Sequence, residues 1–313
     1  MWQDIVHKIE VHPDYVSHVD YPSELPTEEF QHSFRQLPIE LQQRYLTLEL
    51  QDLLYEIYFR RSTNFNAINQ TLTNNTVCGI DIHFLETLRQ SNFGIGYYDR
   101  GWQIRKQESD GTLAVQKDGL TIHVQRDQLS EQSASVGDTV EILLPNSAID
   151  NRYYVAISNT GRVQEPTIDF FLNLKADSAA SLVQEVTQNL DCPFVLKVEI
   201  DPEHYECCDS GVLSVHRTDY ERALIVLETF ERSHSLLEPV PFLTKQIATG
   251  IAIAESSPNL DFGKHRCGLI AEALIVERSI DAIVQRFAQA GLDFEQPYLD
   301  TLTNSEILQS ASA

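Results

Sequence analysis

Apolar residues recur at helical spacing in the first third of the chain. Over residues 38–61 they return every three or four positions, which predicts a helix. The apolar positions form two successive sets, Leu41, Tyr45, Leu48 and then Leu50, Leu54, Ile57. Asp81 is placed to cap a second helix, and a polar linker is predicted over residues 64–75. Residues 1–90 are therefore predicted to form a helical N-terminal region, with an irregular arm or a short helix over residues 1–34.

After Asn92 the pattern changes to the alternation typical of strands. Asp118-Gly119 lies between two alternating runs and predicts a hairpin turn. Further strands are predicted at residues 139–144 and 152–157. Residues 91–165 are therefore predicted to form a small β-rich module.

From residue 166 onward, predicted strands and helices alternate. The order is β-α-β-β-α-β up to about residue 250, followed by one long helix over about residues 262–290. This order is the split βαβ pattern, and it predicts a mainly antiparallel sheet with helices on one face. The fold class is therefore α+β, with residues 166–313 as the candidate catalytic region.

Composition narrows the functional classes. The 313 residues include 46 acidic and 23 basic side chains, a formal net charge of −23, so nucleic acid and membrane surfaces are poor partners. No apolar stretch reaches the length of a membrane helix. The five cysteines show neither a disulfide framework nor zinc spacing. We expect reduced thiols, no metal and a cytoplasmic location, although a type III secretion signal would not be visible in composition.

One cationic segment is unusual in this acidic chain. Lys264, His265 and Arg266 follow Asp261 at a predicted helix start. The free N–H groups and the dipole of a helix start favour an anion and oppose cations, so these residues suit a site that an anion visits. Arg266 would grip phosphate oxygens, and His265 would deliver a proton. A solvated helix start with ordinary surface charges explains the segment equally well.

Three lysines in the predicted strands extend this hypothesis. Lys197 lies mid-strand, opposite the apolar face, whereas Lys175 and Lys245 each end an apolar run. In a cleft, Lys197 would serve as a base; on a solvent face it is a surface residue, which is the commoner case. Asp209, which shares a turn with Tyr205, either stabilises that turn or orients a catalytic cation.

In their order and spacing, several segments resemble the HopA-type effector family, which is named for a type III effector of plant-pathogenic bacteria and has members in cyanobacteria. The resemblance runs from about residue 94 to residue 275. The segments that carry it are Gly101-Trp102, Lys117 to Leu120, Gly137 to Pro145, Arg152 to Ala156, Phe170 to Leu174, Pro193 to Lys197, Tyr205 to Asp209, Thr244 to Glu255 and Phe262 to Cys267.

The resemblance implies two functions. In bacterial peptide biosynthesis, such domains resemble the lyase component of class V lanthipeptide and thioamitide synthetases. There a neighbouring kinase phosphorylates Ser or Thr of a ribosomal precursor peptide, and the lyase eliminates phosphate to leave dehydroalanine or dehydrobutyrine. In the pathogen effector the fold engages host immune proteins, so a non-enzymatic protein- or peptide-binding domain is the alternative.

The elimination requires a base, an acid and cations that hold phosphate, and it requires no metal or organic cofactor. We expect Lys197 and His265 to act as base and acid, in either order. The expected phosphate-binding residues are Arg266, Lys245 and Lys175, and the expected orienting residues are Asn173, Tyr205 and Asp209. Convergence of these cations in one pocket would favour the lyase, whereas dispersed lysines beside an apolar groove would favour the binding domain.

Overall fold

The structure, a computed structural model, describes residues 1–21, 25–62, 76–77, 80–150, 152–256 and 260–300. Its helices and antiparallel sheets confirm the α+β class. The predicted linker over residues 64–75 lies outside the described residues, as do Cys78 and the last part of the third predicted region, residues 301–313.

The described part of the N-terminal region is mainly helical. Its helices are α1 (Trp2–Lys8), α2 (Glu28–Arg35), α3 (Ile39–Leu54) and α4 (Ile82–Gln90), and its short antiparallel strand pairs are β1 (Ile9–Val11) with β2 (Val16–His18) and β3 (Thr76–Val77) with β4 (Ile80–Asp81). Helix α3 continues directly into one π-helical turn, Tyr55–Phe59. Together they occupy most of the helix predicted over residues 38–61.

A four-stranded sheet follows. Its strands are β5 (Tyr97–Gln107), β6 (Leu113–Lys117), β7 (Leu120–Val124) and β8 (Thr139–Leu144), in the order β7-β6-β5-β8. Asp118 and Gly119 have φ angles of +48° and +80° and form the predicted hairpin turn between β6 and β7. A two-residue turn needs this left-handed backbone to match the twist of its strands. The sheet encloses a core of its own around Trp102 and Ile142.

The centre of the fold is a seven-stranded sheet. Its strands are β9 (Ser147–Asp150), β10 (Tyr153–Ile157), β11 (Thr167–Leu172), β12 (Phe194–Glu199), β13 (Gly211–His216), β14 (Lys245–Ala248) and β15 (Ile251–Ser256). The order is β14-β15-β11-β13-β12-β10-β9, and every neighbouring pair is antiparallel. Strand β10, predicted within the small module, belongs here because Tyr154 and Ala156 are buried in the larger core.

Helices cover both faces of this sheet, so the prediction of helices on one face was wrong. On the first face, α5 (Ala176–Asn189) and α6 (Tyr220–Ser233) pack together with α4. On the second face lie α7 (Phe262–Val276), α3 and the π-helical turn. All six residues of β11 are buried, with Phe170 in the first core and Phe171 in the second. A strand that is apolar on both sides needs cover on both faces.

The predicted long helix over residues 262–290 is in fact two helices. Helix α7 ends at Val276, and α8 (Ile280–Gln289) begins after Ser279, whose side chain accepts the N–H of Ala282 at 3.1 Å. This cap replaces the missing helical bonds at a new start. The break lets α8 pack against α7 and bury Ile283 and Phe287.

Helix α7 also approaches the π-helical turn very closely. A Cβ atom on Gly263 would lie 2.4 Å from Cε1 of Phe59. Only glycine therefore permits this separation between the two segments. The close packing fixes the position of the residue that follows the turn, Arg60.

Candidate functional site

The three lysines of the predicted site lie in different parts of the molecule. Lys245 begins β14 at one edge of the seven-stranded sheet, and Lys197 lies in β12, four strands away. At ~4.8 Å per strand this separation is about 19 Å. Lys175 is exposed at the start of α5, which packs on the first face. These lysines therefore do not share one pocket.

Arg266 holds a segment of the chain. Its Nε donates to the Pro297 carbonyl at 3.0 Å, and its Nη2 donates to the Leu299 carbonyl at 3.3 Å. Burial lowers the pKa of Arg266 to about 10. The side chain fastens the segment after α8 to α7, and its burial keeps it away from a phosphate in solvent.

The start of α7 carries its own anion. The side chain of Asp261 accepts the N–H of Lys264 at 2.8 Å, which places a carboxylate where an external anion was expected. The Lys264 side chain forms an ion pair with Asp52. His265 turns to Arg266, with 2.6 Å between Nδ1 and Nη1, and burial and then the Arg266 charge lower its pKa. The expected acid therefore faces a buried arginine.

Asn173 acts within the fold. Its Nδ2 donates to the Pro239 carbonyl at 2.7 Å, and its main chain bonds to Gly250 and Leu237. These contacts attach the loop before β14 to the end of β11. Asn173 was predicted to orient a catalytic group, but none of these contacts is with a cation.

A buried group of charged residues, the arginine cluster, lies where the π-helical turn meets β10 and β12. Its members are Arg60, Arg152, Glu56, Glu199 and Asp209. Arg60 donates to Asp209 at 2.9 Å, to Glu199 at 2.7 Å and to Glu56 at 3.0 Å. Arg152 lies 3.2 Å from Glu199 and 3.6 Å from Glu56. Asp209 thus forms an ion pair with Arg60, a cation that was not among the predicted site residues.

Several chain segments assemble this cluster. Arg60 follows the π-helical turn, and its carbonyl accepts the N–H of Cys208 at 2.7 Å, which brings the loop before β13 against the helix. The Tyr205 hydroxyl donates to the Glu199 carbonyl at 2.7 Å, and the Tyr55 hydroxyl donates to Asp209 at 3.1 Å. Single-turn π-helices occur frequently at functional sites.

The pKa values of Glu199 and Asp209, two acids of the arginine cluster, shift in opposite directions. Burial raises the pKa of Glu199 to about 8, although both arginines oppose it. Burial would also raise the pKa of Asp209, but Arg60 and Arg152 outweigh it and hold that pKa below its usual range. Glu199 Oε2 has no hydrogen-bond partner in the described part of the chain. Such shifted acids are typical of functional sites, and they also occur in structural ion-pair networks.

Two cations, Arg152 of the arginine cluster and Lys197 beside it, reach solvent on the second face of the sheet. The side chains of Lys197 and Arg152 are 39% and 29% exposed. Lys197 precedes Glu199 by two residues, so both side chains share that face. Further along the face, Asp169 accepts a hydrogen bond from the Ser214 hydroxyl at 2.6 Å, and burial raises its pKa. We name the set Asp169, Ser214, Lys197, Glu199 and Arg152 the polar strip.

The described residues contain no group of three or more His, Cys, Asp or Glu side chains placed to hold a metal ion. None of the helices described is long and apolar enough to cross a membrane. The cysteines that the structure describes, Cys192, Cys207, Cys208 and Cys267, are free and buried.

A comparison with known proteins identifies the family to which the chain is related. Residues 144–299 match the model of the HopA1 effector protein family. Over this segment the chain belongs to the HopA1 effector protein family. No match was found among curated proteins.

Two solved structures are similar to this HopA1-family chain. The effector protein from Pseudomonas syringae pv. syringae strain 61 is 18% identical, with 88% of this chain and 99% of that chain covered and a TM-score of 0.48. The effector protein from Pseudomonas syringae pv. tomato strain DC3000 is 15% identical, with 80% of this chain and 89% of that chain covered and a TM-score of 0.44.

The HopA1-family segment supplies only part of the arginine cluster. Arg152, Glu199 and Asp209 lie within it, whereas Glu56 and Arg60 precede it. Arg60 carries no distinguishing signal in the sequence, because a cation at the end of a helix is ordinary. Arg152 appeared only within a segment of the family resemblance, with no chemical signal of its own.

Proposed function

We propose that the polar strip binds a phosphorylated peptide and eliminates phosphate from phosphoserine or phosphothreonine, leaving dehydroalanine or dehydrobutyrine. The observation that carries the proposal is the pairing of two half-exposed cations, Lys197 and Arg152, on one face of the sheet beside buried acids. The family resemblance supplies the substrate class, a ribosomal precursor peptide phosphorylated by a neighbouring Ser/Thr kinase.

Lys197 and Arg152 have different roles in the elimination. The side-chain nitrogen of Lys197 takes the Cα proton of the phosphorylated residue. The electron pair of that C–H bond forms the Cα=Cβ double bond, and the Cβ–O bond breaks with its electrons on the departing phosphate. Arg152 binds the phosphate and stabilises the charge that develops on it. Glu199 and Arg60 are positioning residues, because both are buried and reach the peptide only through Arg152.

This assignment revises the one expected from sequence. Arg152 takes the phosphate-binding role that was expected of Arg266, Lys245 and Lys175, and His265 has no part. In the free protein, Asp150 lies 3.8 Å from Lys197, and Glu56 lies 3.6 Å from Arg152. A phosphate must displace both carboxylates. Half-exposed ion pairs contribute roughly 1 kcal/mol or less, so the displacement costs little.

Mass spectrometry of the phosphorylated precursor peptide, incubated with the pure protein, tests the proposal. Elimination removes the elements of phosphoric acid, whereas a phosphatase leaves the hydroxyl group. We expect Lys197→Ala and Arg152→Ala each to slow elimination by about 100-fold or more, the usual contribution of a base or a phosphate-binding cation.

The matched controls are Lys175→Ala and Lys245→Ala, two lysines outside the polar strip. Both should keep the wild-type rate. Loss of activity in a control, together with full activity of Lys197→Ala, would place the reaction elsewhere in the molecule. Dephosphorylation without elimination would overturn the mechanism.

A protein- or peptide-binding domain is the second candidate. The dispersal of Lys175 and Lys245 favours it, as do the apolar side chains exposed on α2 and α3. Measurable binding of the phosphorylated peptide, with no elimination at any pH tested, would select this function over the lyase.

A further inference from the structure

Helix α3 exposes an apolar stripe on the side that faces away from the core. The outer stripe consists of Leu41, Tyr45 and Leu48, at spacing i, i+4, i+7. Leu41 and Leu48 are 48% and 51% exposed. The opposite side of the helix is buried, with Leu46, Leu50, Leu53 and Leu54 in the second core. The helix is therefore apolar on two sides, and the described structure covers one of them.

Helix α2 widens the outer stripe into a surface. The rings of Phe30 and Phe34 lie 5.7 Å and 5.3 Å from the Tyr45 ring, and Phe30 remains partly exposed. Leu37 and Ile39, between the two helices, are also exposed. Exposed apolar side chains scattered singly are ordinary, but a contiguous set of this kind marks an interaction site.

The charge around this surface is acidic. Residues 25–54 hold five carboxylates and two arginines; the carboxylates are those of Glu28, Glu29, Glu40, Glu49 and Asp52, the last of which pairs with Lys264. Arg35 is already engaged, since it donates to Asp14 at 2.8 Å. Glu49 lies close enough to Tyr45 to help burial raise the pKa of that phenol. A partner of complementary charge would bring lysines or arginines to this rim.

We propose that the outer stripe and α2 dock an amphipathic helix of a partner polypeptide, whose apolar residues recur every three or four positions and whose flanks carry lysine or arginine. Helix-on-groove recognition uses anchors at this spacing. A second copy of the chain fits less well, because a symmetric pair would set two acidic rims against each other. The proposal does not depend on phosphate elimination at the polar strip.

Fluorescence anisotropy with the full-length chain tests this docking. The probe is a labelled helical peptide with leucines along one face and lysines beside them. A peptide with glutamates in place of the lysines and a scrambled peptide serve as comparisons. We expect the lysine peptide to bind at least tenfold more tightly than the other two, with an affinity that falls as salt is added.

Variants of the chain locate the contact. Leu41→Gln with Leu48→Gln should weaken the lysine peptide about tenfold or more. Leu120→Gln with Ile225→Gln, at exposed positions of β7 and α6, is the matched control and should leave binding unchanged. Glu49→Lys should weaken the lysine peptide and strengthen the glutamate peptide, a reversal that partial unfolding would not produce.

Three outcomes would overturn the proposal. The first is binding of the lysine peptide that the stripe variant does not change. The second is equal binding of the lysine and glutamate peptides. The third is a concentration-dependent dimer, seen by light scattering, that Leu41→Gln with Leu48→Gln abolishes, because it would assign the surface to a second copy of the chain.

Discussion

Two arginines are almost fully buried on the second side of the sheet, yet their surroundings differ. Arg60 is 5% exposed and pairs with the three carboxylates of the arginine cluster, whereas Arg266 is 2% exposed and donates to two main-chain carbonyls after α8. Burial would lower the pKa of Arg60, but the carboxylates raise it above its ordinary value. Within the described residues no carboxylate forms a close ion pair with Arg266, and burial lowers its pKa to about 10.

The comparison separates two uses of a buried cation. Acidic side chains, with Asp209 in its ionised form, compensate the Arg60 guanidinium for its lost hydration, and the group they form then positions a second, half-exposed arginine, Arg152. Main-chain carbonyls are neutral and compensate less, so Arg266 serves to fasten a chain segment. A conspicuous cation in the sequence therefore does not by itself indicate an anion site.

The largest effect is expected from Arg60→Ala. The substitution leaves Glu199 and Asp209 buried without their main cation, which typically destabilises a protein by about 3–5 kcal/mol. Denaturant unfolding followed by circular dichroism measures the loss. Arg232→Ala, at a well-exposed arginine of α6, is the control and should stay within about 0.5 kcal/mol of wild type. A similarly small loss for Arg60→Ala would mean that the cluster is not a stabilising unit.

A smaller effect is expected from Arg266→Met. Methionine keeps the apolar stem, and the substitution leaves two neutral carbonyls without their donor, at a cost of about 1–3 kcal/mol. The segment around Leu299 should loosen, so hydrogen exchange of its amides should accelerate. Exchange around Arg60 should not change. If the amides around Leu299 exchange as slowly in the variant as in wild type, contacts other than those of Arg266 hold the segment.

The effect that is smallest per step, about 1 kcal/mol for each pH unit, concerns the pH dependence that Glu199 confers. Its pKa is raised in the folded protein, to about 8, so folding favours the protonated form. Its contribution to stability is complete below the pKa of the unfolded chain, near pH 4–5, and is lost as pH rises towards 8. Wild type should therefore lose stability relative to Glu199→Gln, by up to about 1 kcal/mol per pH unit. Arg60, Arg152, Asp209 and Glu56 face this carboxyl group and are common to both proteins.

Unfolding curves at pH 5, 7 and 9 for both proteins give the measurement. The difference between them should grow with pH in favour of Glu199→Gln. A difference that stays constant would show that Glu199 is ionised throughout this range, held so by its two arginines.

The structure confirms the predictions that rest on signals acting over a few residues. Asp81 caps α4 by accepting the N–H of Phe84 at 2.9 Å, and Asp118-Gly119 forms the hairpin turn. The half-exposed position of Lys197, opposite the apolar side of β12, follows from strand alternation. Helical spacing does not distinguish the exposed Leu41 from the buried Leu50. It identifies apolar residues without showing which face of the helix the rest of the chain covers.

The sequence by itself determined the types of the main elements, several of their ends and the resemblance to the HopA family. Only the tertiary structure decided the arginine cluster, the break between α7 and α8, and the engagement of Arg266 by the segment after α8. Arg60 meets Glu199 and Asp209 across 139 and 149 positions of sequence. Caps and periodicity are set by neighbours within a few residues, whereas these ion pairs depend on sheet register and on helices packing across both faces.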